Sequence, residues 1–174
     1  MSPGILTWTT LNSDKKDINN ESGDVYVGQF RKGTNIREGR GLFISSENFM
    51  YEGFWADDRK SGFGRILVAN GNAYQGEWAD DVSSGRGVYA TAEGLVYKGE
   101  WKDNKCHGSG FERYRDGSKF KGRFRNGEKN GKGLFRWADG KEFKGNFKNG
   151  SMNGYGEFVW PDGRSYKGEW LNDK

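Results

Sequence analysis

The pentapeptide YKGEW stands at Tyr97–Trp101 and again, letter for letter, at Tyr166–Trp170. Its aromatic ends suit a β-strand. Its central glycine weakens one by roughly 0.5–1 kcal/mol, because glycine adds backbone entropy and packs nothing. Related pentapeptides begin at 26 (YVGQF), 51 (YEGFW), 74 (YQGEW), 120 (FKGRF) and 143 (FKGNF). The steps between the seven are 25 residues once and then 23 five times, which is the spacing of a repeat array.

A second motif fills the intervals. A G-x-G pair recurs at 39/41, 62/64, 85/87, 108/110, 131/133 and 154/156. Two residues beyond each second glycine stands Phe43, Ile66, Tyr89, Glu112, Phe135 or Phe158. A turn signal follows: Asn70-Gly71, Glu93-Gly94, Asp116-Gly117, Asp139-Gly140 and Asp162-Gly163. Each unit therefore predicts a strand, a loop, a second strand and a tight turn. The N-terminus carries a half-unit, because GILTW at 4–8 matches GLFRW at 133–137 and GEFVW at 156–160. Residues 4–10 then form a strand whose turn has swollen into LNSDKKDINNES, giving fourteen candidate strands. The domain reading is 1–24 for the half-repeat and long turn, and 25–174 for the array.

Composition agrees. Of 174 residues 33% are hydrophobic, yet 16% are aromatic and 29 are glycine. A compact aliphatic core cannot be built from this, and disordered chains are poor in aromatics. A thin, extended β architecture can, and it fits better than a closed barrel. No stretch approaches the roughly 20 apolar residues of a membrane helix. A single cysteine, Cys106, fits a reducing compartment, so the expected localisation is cytoplasmic.

The order Y-x-G-x-W, loop, G-x-G, Asx-Gly turn at a 23-residue period resembles the MORN (membrane occupation and recognition nexus) repeat. The resemblance spans about 25–171 and, weakly, 4–24. It implies an all-β fold, an elongated single-layer antiparallel sheet of stacked hairpins, twisted into a ribbon with a groove lined by aromatics. It also suggests cytoskeletal (ciliary or cortical) or peripheral membrane structures as the place of work. The chain departs from the pattern at Phe120, Phe124, Phe143 and Phe147, at Glu112 in an aromatic column, and at Asn48 in place of glycine.

Strand alternation assigns faces independently. Positions one, three and five of the pentapeptide share a face, as do both glycines of G-x-G and the residues two and four beyond them. Those columns hold 22 of the 27 aromatics. The opposite face begins Val27, Glu52, Gln75 and continues Lys98, Lys121, Lys144, Lys167. Residues 51–100 carry a net charge of −3 and residues 101–174 of +7, an asymmetry that suits oriented binding of an acidic partner or surface.

Little catalytic chemistry survives inspection. Cys106 and His107 are adjacent, but their columns hold lysine, serine, methionine and asparagine in other repeats and are expected to be solvated loop. One cysteine and one histidine exclude a zinc site made of those ligands. The G-x-G pairs lie in strands rather than before helices, so they are not phosphate loops. Asp57-Asp58 and Asp80-Asp81 recur at one column and read as turn chemistry. No cofactor and no catalytic residue is expected.

The leading reading is a non-enzymatic scaffold holding a helix or extended segment of a protein along an aromatic groove. Its expected groove residues are Tyr74, Trp78, Tyr97, Trp101, Phe120, Phe124, Trp137 and Trp160. The rings also serve as the core, but one layer cannot shield both sides of them. The alternative is an anionic phospholipid (phosphoinositide) module using Lys98, Lys121, Arg123, Lys144 and Lys167, a ladder that a merely solvated face would also explain. The acidic middle argues against nucleic acid. The edge strand at 165–170 invites end-to-end association with another copy or membership of a larger assembly.

Overall fold

The structure, a computed structural model, describes residues 16–19 and 23–174. The pentapeptides lie in the even strands: β2 Val25–Phe30, β4 Phe49–Ala56, β6 Ala73–Ala79, β8 Val96–Lys102, β10 Lys119–Arg125, β12 Glu142–Lys148 and β14 Ser165–Trp170. The G-x-G motifs lie in the odd strands: β3 Arg37–Ser45, β5 Arg59–Val68, β7 Val82–Ala90, β9 Lys105–Arg113, β11 Glu128–Arg136 and β13 Ser151–Val159. With β1, Lys16–Asn19, they form one antiparallel sheet in strict chain order. The strand expected over 4–10 lies outside the described residues. The edge of β2 is taken instead by β1, from within the stretch expected to be turn.

Register explains the pentapeptide. Across every strand pair from β2 to β14 the central glycine faces the second glycine of the neighbouring G-x-G, so one unbroken glycine row runs from Gly28 to Gly168. Beside it runs the ring row, in which Tyr26, Phe43, Tyr51, Ile66, Tyr74, Tyr89 and Tyr97 face one another in turn. Directly opposed residues of an antiparallel pair share a face. The turns therefore do keep the aromatics of both strand types on one side.

Each ring lies flat over its own pentapeptide's glycine and over the glycine of the next strand. A Cβ built on Gly99 would meet Tyr97 Oη at 2.4 Å, and one on Gly110 would meet Tyr97 Cε2 at 2.6 Å. The covering ring is thus the one two residues upstream in the same strand. Its hydroxyl donates to the carbonyl three residues on: Tyr51 to Phe54 at 3.0 Å, Tyr74 to Glu77 at 3.0 Å and Tyr97 to Glu100 at 2.7 Å. Burial raises the Tyr26 hydroxyl to a pKa of about 12 and pushes Tyr51, Tyr74 and Tyr97 up as well, which keeps these donors protonated.

The rings then zip the sheet along its length. Tyr51 meets Trp55 at 5.1 Å and Trp78 at 5.4 Å, both edge-to-face. Tyr74 meets Trp78 and Trp101, Tyr97 meets Trp101 and Phe124, and Phe120 meets Phe124 and Phe147 in the same manner. Each such pair contributes about 0.5–1.5 kcal/mol beyond burial. Tyr51, Tyr97, Phe120 and Phe143 are fully buried although the sheet is one layer thick.

Two turn types alternate. Behind the pentapeptides of β4, β6 and β8, Asp57-Asp58, Asp80-Asp81 and Asp103-Asn104 adopt positive φ at both positions, as a two-residue type I′ hairpin needs. The stretch after the tryptophan is therefore a tight turn and then strand. Cys106 and His107, expected in loop, lie in β9. At the other end the Asx-Gly signals sit in longer connections, such as the one where Gly140 N–H donates to Trp137 O and Trp137 N–H to Lys141 O. Asn48 takes φ 67°, which shows why asparagine can replace glycine there.

The two glycines of G-x-G part company. The second joins the glycine row. The first has positive φ at 39, 62, 85, 108, 131 and 154, and a Cβ there would point to the opposite face. It belongs to a bulge: on the β6 side of β7, three residues of β7 (84–86) oppose Glu77 alone. The bulge leaves an N–H to satisfy, and the side chain of the fourth pentapeptide residue accepts it. Arg86 N–H donates to Glu77 at 3.0 Å, Ser109 N–H to Glu100 at 2.9 Å and Arg40 N–H to Gln29 at 2.7 Å. The E of YKGEW is thus a structural residue.

Candidate functional site: a basic groove on the face away from the rings

The face away from the rings carries a groove of about 1730 Å³ running across β5 to β13. Its floor is the backbone of the glycine row, including Gly76, Gly87, Gly99, Gly110, Gly122, Gly133 and Gly145. Bulges at every repeat bend the odd strands and add twist, which curls this face inward. One wall is the second pentapeptide column with the residues facing it. Val88 opposes Lys98, Lys98 and Lys121 flank Phe111, and Lys121 and Lys144 flank Leu134. The other wall carries Phe63, Arg86, Arg123, Lys132 and Tyr155.

The sequence-derived residues fall on both sides of the sheet. Of the eight rings expected to line a groove, only Tyr74 borders this one. Tyr74, Trp78, Tyr97, Phe120 and Phe124 are buried in the ring ladder, and Trp101, Trp137 and Trp160 are half-buried on the same face. Trp137 also lines a small cleft of about 480 Å³ with Tyr114 and Phe135. Of the basic residues, Lys98, Lys121, Arg123 and Lys144 line the groove, and Lys167 on β14 does not. The groove's apolar members, Phe63, Val88, Phe111, Leu134 and Tyr155, were not singled out as site residues. Their signal was present: Val88, Phe111 and Leu134 are apolar at a column where alternation predicts outward-facing residues.

The ring face has its own polar cover. Arg37 Cζ lies 4.1 Å from the Trp55 ring centroid and Nε lies 3.1 Å from Asp58; Lys60 repeats the arrangement over Trp78 with Asp81. At Glu112 the aromatic column is broken by an ion pair. Lys129 Nζ lies 2.8 Å from Glu112 Oε2, the two side chains are 16% and 11% exposed, and Tyr114 Oη donates to the same oxygen.

Cys106 lies beside this pair. Burial first, and the Glu112 carboxylate second, push its thiol to a pKa of about 12. Alkylation goes through the thiolate. At pH 7.5 iodoacetamide is expected to label the folded protein at least ~100-fold more slowly than the urea-unfolded chain. Equal rates would contradict this placement of Cys106. Among the described residues no group of His, Cys, Asp or Glu gathers as metal ligands, and no helix is long and apolar enough to cross a membrane.

The model of the MORN repeat matches five consecutive stretches, at 51–73, 74–96, 97–119, 120–142 and 143–163. The chain belongs to the MORN repeat family. Its members' 23-residue unit is here one even and one odd strand, stacked without a break in register. No curated protein sequence matches this MORN chain. Among solved structures, the G-box domain of the microcephaly protein CPAP aligns with 10% identity over 91% of this chain and 88% of that one, at a TM-score of 0.50. The Drosophila melanogaster SAS-4 (dCPAP) TCP domain, solved with a proline-rich motif of Ana2 (dSTIL), aligns with 12% identity over 97% and 98%, at 0.48. A mutant TCP10 domain of Danio rerio CPAP aligns with 12% identity over 88% and 71%, at 0.49. At such identities the G-box likeness is one of fold.

Proposed function

We propose that the chain is a non-enzymatic scaffold that holds a segment of another protein in the groove on the face away from the rings. One observation carries the reading: the ring face is consumed as core, whereas the opposite face leaves a long concave track with apolar side chains exposed along it. Phe63 is 46%, Val88 36% and Tyr155 55% exposed. Apolar groups presented this way inside a rim of charge are the anatomy of a partner surface. The stacked hairpins supply the rigidity that a scaffold needs, since every strand from β2 to β13 is held on both sides.

Cytoskeletal structures are the place to test first. The family resemblance suggests them, and the structural study of the CPAP G-box suggests a role for that domain in centriole elongation. Glu substitution of Val88 and Leu134 together should abolish partner capture from cell extract while leaving circular dichroism and melting unchanged. Capture retained at full strength by that folded variant would sink the proposal. Binding of the wild type to anionic vesicles in place of protein would favour the lipid alternative.

A further inference from the structure

The groove's charge is one-sided. Its lining holds seven cationic side chains, among them Lys98, Lys121 and Lys144, against a single carboxylate, Glu100. That carboxylate is already engaged by the Ser109 N–H. The ion pairs among the described residues lie elsewhere. They sit at turns, as Arg59–Asp80 and Arg164–Asp162, on the ring face, as Lys129–Glu112, or between neighbouring strands, as Arg136–Glu142. None involves a groove cation. A row of unpaired cations along an apolar track is complementary to carboxylates on an apolar segment.

The spacing says more. From β7 to β12 one wall alternates apolar and cationic: Val88, Lys98, Phe111, Lys121, Leu134, Lys144. Adjacent strands lie about 4.8 Å apart, so successive lysines recur at about 9.6 Å, and somewhat less for a chain inside the concave side. A polyproline II chain turns once in three residues and about 9.3 Å. An α-helix returns to the same face about every 5.4 Å, and its second return, seven residues on at about 10.5 Å, overshoots the repeat where a concave track requires a shorter step.

Resting on the scaffold reading, we propose that the occupant is an acidic segment bound in an extended, polyproline-like conformation, with carboxylates at every third residue meeting Lys98, Lys121 and Lys144 in turn. The apolar residues between them lie against Phe111 and Leu134.

Fluorescence anisotropy with two labelled peptides tests this. One consists of three Glu-Pro-Leu triplets. The other has the same composition with its three glutamates adjacent. The spaced peptide is expected to bind at least about tenfold more tightly, and more weakly as salt rises. Lys98→Glu, Lys121→Glu and Lys144→Glu should each weaken it about tenfold or more, and Lys167→Glu, outside the groove, should leave it unchanged. Equal affinity for both peptides would overturn the assignment, because bulk charge would then suffice. Preference for an acidic amphipathic helix, or binding to phosphatidylserine vesicles with neither peptide bound, would overturn it too. If the Val88/Leu134 variant loses its protein partner while neither peptide binds wild type, the scaffold stands and the acidic extended segment falls.

Discussion

Gly99→Val should destabilise the sheet by about 3 kcal/mol or more, whereas Lys98→Val, one residue away, should change stability by no more than about 0.5 kcal/mol. Valine is the better strand former at either position, so propensity alone predicts a gain at both. The difference lies in what each side chain would meet. A Cβ on Gly99 lies 2.4 Å from Tyr97 Oη, 2.6 Å from the Ser109 carbonyl oxygen and 2.7 Å from Gly110 Cα. Two of these are backbone atoms of β9 and cannot rotate aside. The third belongs to a ring held by Trp101 and Phe124. Lys98 is exposed on the groove face and clashes with nothing there. Urea midpoints measured side by side decide it, and similar losses at the two positions would refute the account of the glycine row.

The second large effect is at the broken aromatic column. Lys129→Met should cost about 3 kcal/mol, because it strands the Glu112 carboxylate in a site 11% exposed with only the Tyr114 hydroxyl for company. Glu112→Ile combined with Lys129→Met should recover most of that loss. Ile66 already occupies the equivalent position two repeats earlier, packed against the rings. Replacing a buried ion pair by well-packed apolar groups is often neutral or stabilising, whereas breaking one is not. A double variant as unstable as the single one would show that Glu112 has a structural role beyond pairing with Lys129.

Much of the fold was legible because glycine and aromatic residues each carry a strict geometric demand. A ring lying flat needs a missing Cβ under it, so the pentapeptide, the second glycine of G-x-G and the 23-residue period declare the register together. The type I′ turns were half legible. Asp57-Asp58 and its equivalents read as turn residues, but the strand resuming at Arg59 did not, since the residues before G-x-G vary freely in chemistry. That is why Cys106 and His107 looked like loop. The six bulge glycines were hidden for a related reason: alternation assumes a regular pleat, and a bulge breaks it.

The site was less legible than the fold. Alternation separates two faces but does not say which curls inward. That follows from the bulges, visible only in three dimensions. Tyr97 therefore looked like a groove residue when it is buried core, and Trp101 when it packs half-buried against that core, while Lys98, Lys121 and Lys144 were placed on the face that forms the track. Half of the Lys129–Glu112 pair could have been suspected: Glu112 departs from an aromatic column, but Lys129 stands in a variable column that also holds Lys60.

Amine-reactive crosslinking with mass spectrometry in native extract tests the central claim most directly, because lysines mark the faces separately. Lys98, Lys121, Lys132 and Lys144 line the groove, Lys60 and Lys129 cover the rings, and Lys102, Lys105 and Lys148 flank turns. Links to partner proteins should concentrate on the four groove lysines and disappear from them in the Val88/Leu134 variant. Links confined to the turns or to the ring face, with the groove lysines unlinked, would contradict the assignment of the groove as the binding surface.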